Sequence, residues 1–312
     1  MVQLIEVGPR DGLQNESAVL DPDMRIDYIA SIVRSGLTRI EAVSFVREDR
    51  VPQMAGAEEV MAGVPRVAGV SYSALVLNAR GVERALAAGV DEINFVVLAS
   101  ETFSRRNQGT SIAAAIDSYA HVRKMIAGTG IRSTVTVGAA FGCPFEGDTP
   151  LSRVREIVAR VTQTGADELS LADTIGVAVP AEVVGAIDVV RSVTTLPLRM
   201  HLHNTRNTGY ANALAAVGAG VVALDASTGG IGGCPFAPAA TGNIATEDVL
   251  YQLRRSGYDV RGDFDAIVDV GRWIGSALGK TRVEGMLESA GWFPSPNSTP
   301  SRAPDSRVDA AE

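Results

Sequence analysis

Along the chain, short apolar and β-branched runs alternate with longer amphipathic stretches, and glycine repeatedly stands where one gives way to the other. Gly36 precedes residues 38–43, Gly89 precedes 91–97, Gly130 precedes 133–137, Gly165 precedes 168–171 and Gly220 precedes 221–225. A glycine just past a helix end takes the left-handed conformation that closes it, so each unit reads as helix, cap and buried strand. Further runs at 4–7, 67–77 and 198–203 bring the predicted strands to eight. Helix-length segments lie near 22–34, 80–88, 112–127, 151–163, 181–192, 208–217 and 245–255. Eight alternations predict an α/β fold, a (β/α)8 TIM barrel, which takes ~250 residues and gathers its active site at the C-terminal ends of its strands. The rival, a doubly wound open sheet for a dinucleotide, needs a G-x-G-x-x-G fingerprint after the first strand, and none stands there.

The pattern divides the chain into a catalytic barrel over 1–260, extra C-terminal helices packed on the barrel over 261–293 and a tail over 294–312 that is expected to be disordered. The helices are expected at 264–278 and 282–289, packed near the barrel mouth. Pro294, Pro296, Pro300 and Pro304 stand among small polar residues, a composition that buries no core. The string Gly275-Ser276-Ala277-Leu278-Gly279-Lys280-Thr281 mimics a phosphate loop. It has three residues between its glycines and follows a helix, so it reads as a helix end.

Composition narrows the partners. The 312 residues are 46% apolar and 21% charged, which supports a buried core and excludes disorder as the main state. A net charge of −8 supplies no basic field for nucleic acid or an anionic membrane. The longest uncharged apolar stretch, 211–224, is interrupted by Asn212 and glycines and is shorter than the ~20 residues of a membrane helix. A small-molecule substrate is therefore expected. Lys124 and Lys280 are the only lysines, which argues against Schiff-base chemistry. Two widely separated cysteines, Cys143 and Cys234, and no visible leader fit a cytoplasmic protein.

In such a barrel, polar residues at strand ends are the catalytic candidates. The first strand runs into Gly8-Pro9-Arg10-Asp11-Gly12-Leu13-Gln14-Asn15-Glu16, which sets a guanidinium and a carboxylate on one turn. Taken alone, that pair is as readily a structural ion pair. The seventh strand carries His201 and His203, one residue apart, so both point to the same side and can hold one metal ion. The second and sixth strands send Glu41 and Asp173 towards the mouth, and Glu41 in an apolar interior requires a cation such as Arg10. After the eighth strand, Gly229, Gly230, Gly232 and Gly233 precede Cys234, forming a hinged arm able to close over substrate and carry a proton donor. Cys143 lacks that hinge and reads as packing, and His121 reads as surface.

Together, residues 6–16, the string His201-Leu202-His203-Asn204 and the stretch 229–248 resemble the hydroxymethylglutaryl-CoA lyase family of metal-dependent barrel lyases. The similarity extends through Ser44-Phe45-Val46, residues 99–103 and Asp173-Thr174-Ile175-Gly176, and so over about 2–251. The most family-specific part is Gly232-Gly233-Cys234-Pro235-Phe236 followed by Gly242-Asn243-Ile244-Ala245-Thr246-Glu247-Asp248. The resemblance implies a divalent cation, Mg²⁺ or Mn²⁺, held by Asp11, His201, His203 and Asn243. It implies Arg10 at the thioester oxygen, catalytic roles for Glu41, Asp173, His201 and Cys234, and Gln14 and Ser44 beside Arg10 at the substrate. The implied substrate is an acyl-CoA thioester, cleaved to acetyl-CoA and a keto acid; for hydroxymethylglutaryl-CoA that acid is acetoacetate. A homodimer is implied as well. Many members continue H-x-H-D-T where this chain has His203-Asn204-Thr205-Arg206-Asn207, and the loop Arg47-Glu48-Asp49-Arg50 is unusually charged. Citramalyl-CoA is therefore the alternative substrate, and a Claisen-type condensing synthase is the more distant one.

Overall fold

The computed structural model describes residues 1–233 and 242–294, so the tail expected to be disordered lies, past 294, outside the described residues. In chain order it contains β1 (Gln3–Glu6), α1 (Pro22–Arg34), β2 (Arg39–Ser44), α2 (Ala57–Gly63), β3 (Ser71–Val76), α3 (Ala79–Ala87) and β4 (Glu92–Leu98). Then follow α4 (Glu101–Gln108), α5 (Ile112–Met125), β5 (Arg132–Gly138) and a small ribbon of β6 (Gly142–Cys143) and β7 (Gly147–Asp148). The remainder is α6 (Leu151–Thr164), β8 (Glu168–Asp173), α7 (Pro180–Arg191), β9 (Leu198–Leu202), α8 (Gly209–Gly218), β10 (Ala223–Ala226), α9 (Thr246–Arg255), α10 (Phe264–Ala277) and α11 (Leu287–Ala290). Eight parallel strands close in the order β1-β10-β9-β8-β5-β4-β3-β2, with β2 pairing back onto β1. This is the (β/α)8 barrel that the glycine-punctuated pattern predicts. No helix among the described residues is long and apolar enough to cross a membrane.

Helix ends follow local chemistry. Asp21 caps α1 by accepting the Met24 amide at 2.8 Å, with Pro22 opening the first turn. Gly165 closes α6 at φ 97°, a conformation that a Cβ would penalise. Two barrel helices escape the periodic reading. α2 is only seven residues long, and α4 (ETFSRRNQ) buries only Phe103 and Ser104, so neither carries a full apolar stripe. Helix α4 starts because Ser100 caps the Phe103 amide at 3.1 Å. The predicted third strand begins late, because residues 67–70 form a turn closed by the Val70 amide on the Val67 carbonyl. Of the expected helix over 282–289, only Leu287–Ala290 forms. Helix α10 packs against α1, α9 and the Thr228–Gly230 turn beyond β10, which places it beside the barrel mouth.

The apolar core lies mainly between barrel and helices, where Ile40, Tyr72, Ile93, Phe95, Leu169 and Leu224 are almost completely buried. The inside of the barrel is different. Barrels of this kind usually fill it with branched aliphatic side chains; here Arg39, Glu92, Glu168 and Arg199 are buried within it. At its lower end the Arg39 guanidinium binds Glu92 at 2.6 Å and Glu168 at 2.7 Å, and Thr134 donates to Glu92 at 3.0 Å. Removing one partner of such a buried network leaves charge without compensation. Arg39→Met is expected to lower unfolding stability by about 3 kcal/mol, read by urea denaturation. A loss below about 1 kcal/mol would show that Glu92 and Glu168 find other partners.

Candidate active site at the barrel mouth

The chain leaves β1 through a tight π-helical turn, Gly8–Gly12, that throws Arg10 and Asp11 over the barrel mouth. Arg10 grips Glu41 through Nε and Nη2 and donates from Nη1 to Asp11 at 2.6 Å. Glu41, fully buried on β2, also accepts from Asn94 Nδ2 at 2.9 Å and Arg199 Nη2 at 3.3 Å. On β9, Arg199 and His201 face inward at alternate positions, and His203 follows just past the strand. Arg199 Nε donates to Asp225, whose other oxygen lies 3.0 Å from His201 Nδ1.

With Nδ1 committed to Asp225, His201 turns Nε2 towards the mouth, where it lies 3.0 Å from His203 Nε2 and 3.7 Å from Asp11 Oδ2. One ligand atom each from Asp11, His201 and His203 falls within a 4.8 Å cluster. Burial drives His203 down to about 4, helped by the neighbouring His201, so its imidazole is neutral and free to ligate. Burial also works to lower His201, yet the Asp225 hydrogen bond and the Asp11 charge outweigh it and raise it. Burial alone would raise Asp11, but Arg10 and the two histidines hold it below the usual carboxylate range.

These residues fit a divalent cation on three grounds. The donor set mixes oxygen with imidazole nitrogen, and a carboxylate fixes the ring of His201 from behind. Four arginines in and around the barrel (Arg10, Arg39, Arg132, Arg199) face five carboxylates (Asp11, Glu41, Glu92, Glu168, Asp225), a formal excess of one negative charge, and it falls at the upper end, where Arg10 and Arg199 face Asp11, Glu41 and Asp225. Asn243 belongs to the same cluster but presents its amide nitrogen, donating to Asp11 at 3.0 Å and to the Ile231 carbonyl at 3.2 Å. It would offer oxygen only after the amide turns over.

A cavity of about 170 Å³ opens on this cluster, with Asn94, Val96, Leu98 and Thr136 on the far wall. Through Gln14, Val96 and Asn107 it joins a groove of about 1290 Å³ lined by Arg47, Arg50, Arg80 and Arg84. Arg47 pairs with Asp49, and Arg84 with Glu48 and Glu58; Arg50 and Arg80 make no ion pair among the described residues. Gln14 stands at the junction with its Oε1 buried and unpaired among the described residues.

Other candidates from the sequence lie elsewhere. Both oxygens of Asp173 accept backbone amides, from Val177 at 2.9 Å and Ala178 at 3.0 Å, so its carboxylate holds the turn after β8. Ser44 is buried with Oγ unpaired among the described residues and lines neither the cavity nor the groove. Cys234 lies outside the described residues. Cys143 donates to Ser100 at 2.9 Å in an apolar cluster with Leu98 and Phe103, the packing role expected, and His121 is exposed. The unusual Arg206 reaches away from the cavity, donating to the Ile175 and Gly176 carbonyls at 3.2 and 2.9 Å.

Arg199, Asp225 and Asn94 belong to the site without a motif that marks them. The signal is present: period two from His201 reaches back to Arg199, and Asp225 sits opposite His201 in the β10–β9 register.

A second acidic pair supports the glycine-rich segment. Glu6 accepts the Gly8 and Thr228 amides, both at 2.9 Å, and the Thr246 hydroxyl at 2.7 Å; Glu247 accepts the Gly229 amide at 3.1 Å. Burial pushes Glu6 up to about 7 and Glu247 up to about 8.

The HMGL-like family model matches residues 1–274. The chain is 40% identical over 290 residues to (R)-citramalyl-CoA lyase of Chloroflexus aurantiacus, covering 89% of this chain and 92% of that protein. It is 40% identical over 279 residues to hydroxymethylglutaryl-CoA lyase of Pseudomonas mevalonii, covering 89% and 93%. Among solved structures it is similar to an HMG-CoA lyase from Acinetobacter baumannii in complex with coenzyme A and 3-methylmalate. The TM-score is 0.91 at 35% identity, covering 96% of this chain and 98% of that one.

The raised acids give stability a definite pH dependence. Both would ionise near 4.5 in the unfolded chain but keep their protons in the fold up to about 7 and about 8. Their contribution is therefore complete below about pH 4.5 and is lost as pH rises through the folded values. The melting temperature is expected to fall between about pH 5 and about pH 8, and Glu6→Gln with Glu247→Gln should flatten that slope. A slope unchanged in the double variant would show that other groups set it.

Proposed function

The chain belongs to the HMGL-like family of carbon–carbon lyases, and we propose that it cleaves a short branched 3-hydroxyacyl-CoA of the 3-hydroxy-3-methylglutaryl type to acetyl-CoA and a keto acid. The observation that carries this reading is the Asp11/His201/His203 cluster beside Arg10, in a cavity that opens into an arginine-lined groove. The cluster suits the hydroxyl end of such a molecule, and the groove suits the phosphates of its CoA.

Asp11, His201 and His203 would hold Mg²⁺ or Mn²⁺, with Asn243 as a fourth donor once its amide is turned. Such an ion acidifies a substrate hydroxyl and orients it. Asp225 keeps His201 in the tautomer that leaves Nε2 towards the mouth. When the hydroxyl proton passes to solvent water at the mouth, a carbonyl forms at the carbinol carbon and the carbon–carbon bond breaks. The electron pair passes onto the thioester as an enolate. Arg10, fixed by Glu41 and Asp11, puts positive charge where that oxygen becomes negative. The enolate carbon then takes a proton, assigned to Cys234, to give acetyl-CoA. Gln14, at the junction of cavity and groove, is assigned to the thioester. Asp173 would act through the turn that it holds. With this reading go a homodimer and a cytoplasmic location.

A second reading has its own support. The similarity to a citramalyl-CoA lyase, at 40% identity, equals that to a hydroxymethylglutaryl-CoA lyase, so citramalyl-CoA is the alternative substrate, with pyruvate as product.

Purified protein given each thioester with Mg²⁺ or Mn²⁺ is expected to release free keto acid from at least one. Chelation should abolish turnover and added cation restore it. His203→Ala should weaken cation affinity without unfolding the barrel, and Cys234→Ala should slow turnover by ~10²–10⁴ with near-normal cation binding. Full turnover in a chelator-stripped sample would overturn the metal assignment, and no keto acid from either thioester would overturn the lyase reading.

A further inference from the structure

The charged groups at the mouth form a closed circuit. Asp11 accepts from Arg10, Arg10 holds Glu41, Glu41 accepts from Arg199, Arg199 donates to Asp225, Asp225 fixes His201, and His201 Nε2 returns to within 3.7 Å of Asp11. Within it, the arginines stand between carboxylates. Arg199 is the member opposite Asp11. It is fully buried, lines no part of the cavity and cannot touch a ligand there. Its guanidinium serves Glu41 through Nη2 and Asp225 through Nε, while Nη1 has no hydrogen-bond partner among the described residues and lies 3.9 Å from Glu92.

We propose that Arg199 is a positioning residue that couples the two halves of the site, setting Arg10 through Glu41 and His201 through Asp225 with one rigid fork. The inference rests on reading Asp11, His201 and His203 as the metal site. A fork with fixed donor directions can hold two carboxylates at a set separation, whereas an ammonium is a single point charge on a flexible stem. Without the fork, Asp225 can swing and His201 loses its fixed ring orientation. The cation site then loosens, although no ligand has been altered.

The test is Mn²⁺ binding, followed by paramagnetic resonance, in Arg199→Lys, which keeps the buried charge. Groups that orient a metal-bound histidine typically contribute 10–100-fold in affinity, and a loss of at least about tenfold is expected. Asp225→Asn should cause a similar loss, and combining it with Arg199→Lys should add little, because both act through the same ring. On whichever thioester is cleaved, kcat should fall while KM stays within about twofold, since Arg199 does not meet substrate. If Arg199 were purely structural, its replacement would lower the melting temperature yet leave Mn²⁺ affinity and kcat near the parent values, and that result would overturn the proposal. If Arg199→Lys does not fold at ambient temperature, the same variant is read by the same criteria in the cold. Failure of every thioester to react, with Mn²⁺ affinity falling as expected, would count against the lyase reading alone.

Discussion

The barrel is organised by the cost of hiding charge. An arginine or carboxylate removed from water is tolerated only when opposite charges and hydrogen-bond donors surround it. This chain buries several inside a space that related architectures fill with aliphatic side chains. Once Arg39 is placed, Glu92 and Glu168 must meet it; once Arg199 is placed, Glu41 and Asp225 must. Each pairing spans different strands, so the network fixes register across the barrel as well as charge. The inner positions are therefore specified more tightly than an apolar core would specify them, because an aliphatic contact tolerates slippage that a two-pronged ion pair does not.

That constraint carries upward into chemistry. The Arg199 layer delivers Glu41 and Asp225 in fixed positions, and these set Arg10 and His201 at the mouth. A guanidinium and an imidazole there arrive pre-oriented, with little reorganisation left for the moment of reaction, the condition under which electrostatic stabilisation is most effective. The excess of carboxylates over arginines also gives the upper end of the barrel an affinity for positive charge, met where Asp11, His201 and His203 converge. The apolar layer beneath the helices supplies stability and holds this polar interior in place.

Much of this was legible in the chain. Glycines past the helix ends marked the strand starts, and the one-residue spacing of His201 and His203 placed both on one side, where they meet Asp11. The ion pair that Glu41 required was found on Arg10. Other features were obscured for physical reasons. Helix α4 is polar almost throughout and declares itself only by a serine cap. Arg199 and Asp225 sit in runs that look apolar because their outward neighbours dominate the local average. Asp173 stands at a strand end like a catalytic acid, and only the distances to Val177 and Ala178 reveal that its oxygens are already committed. Arg206, one of the departures from the H-x-H-D-T string, ties two loops together outside the cavity.

The divalent cation proposed at the mouth would complete the charged interior. Its place can be read by anomalous scattering from crystals of the protein grown with Mn²⁺. A single strong peak is expected within bonding distance of Asp11, His201 Nε2 and His203 Nε2. Full-occupancy Mn²⁺ bound elsewhere, with those three side chains still facing one another unligated, would contradict it.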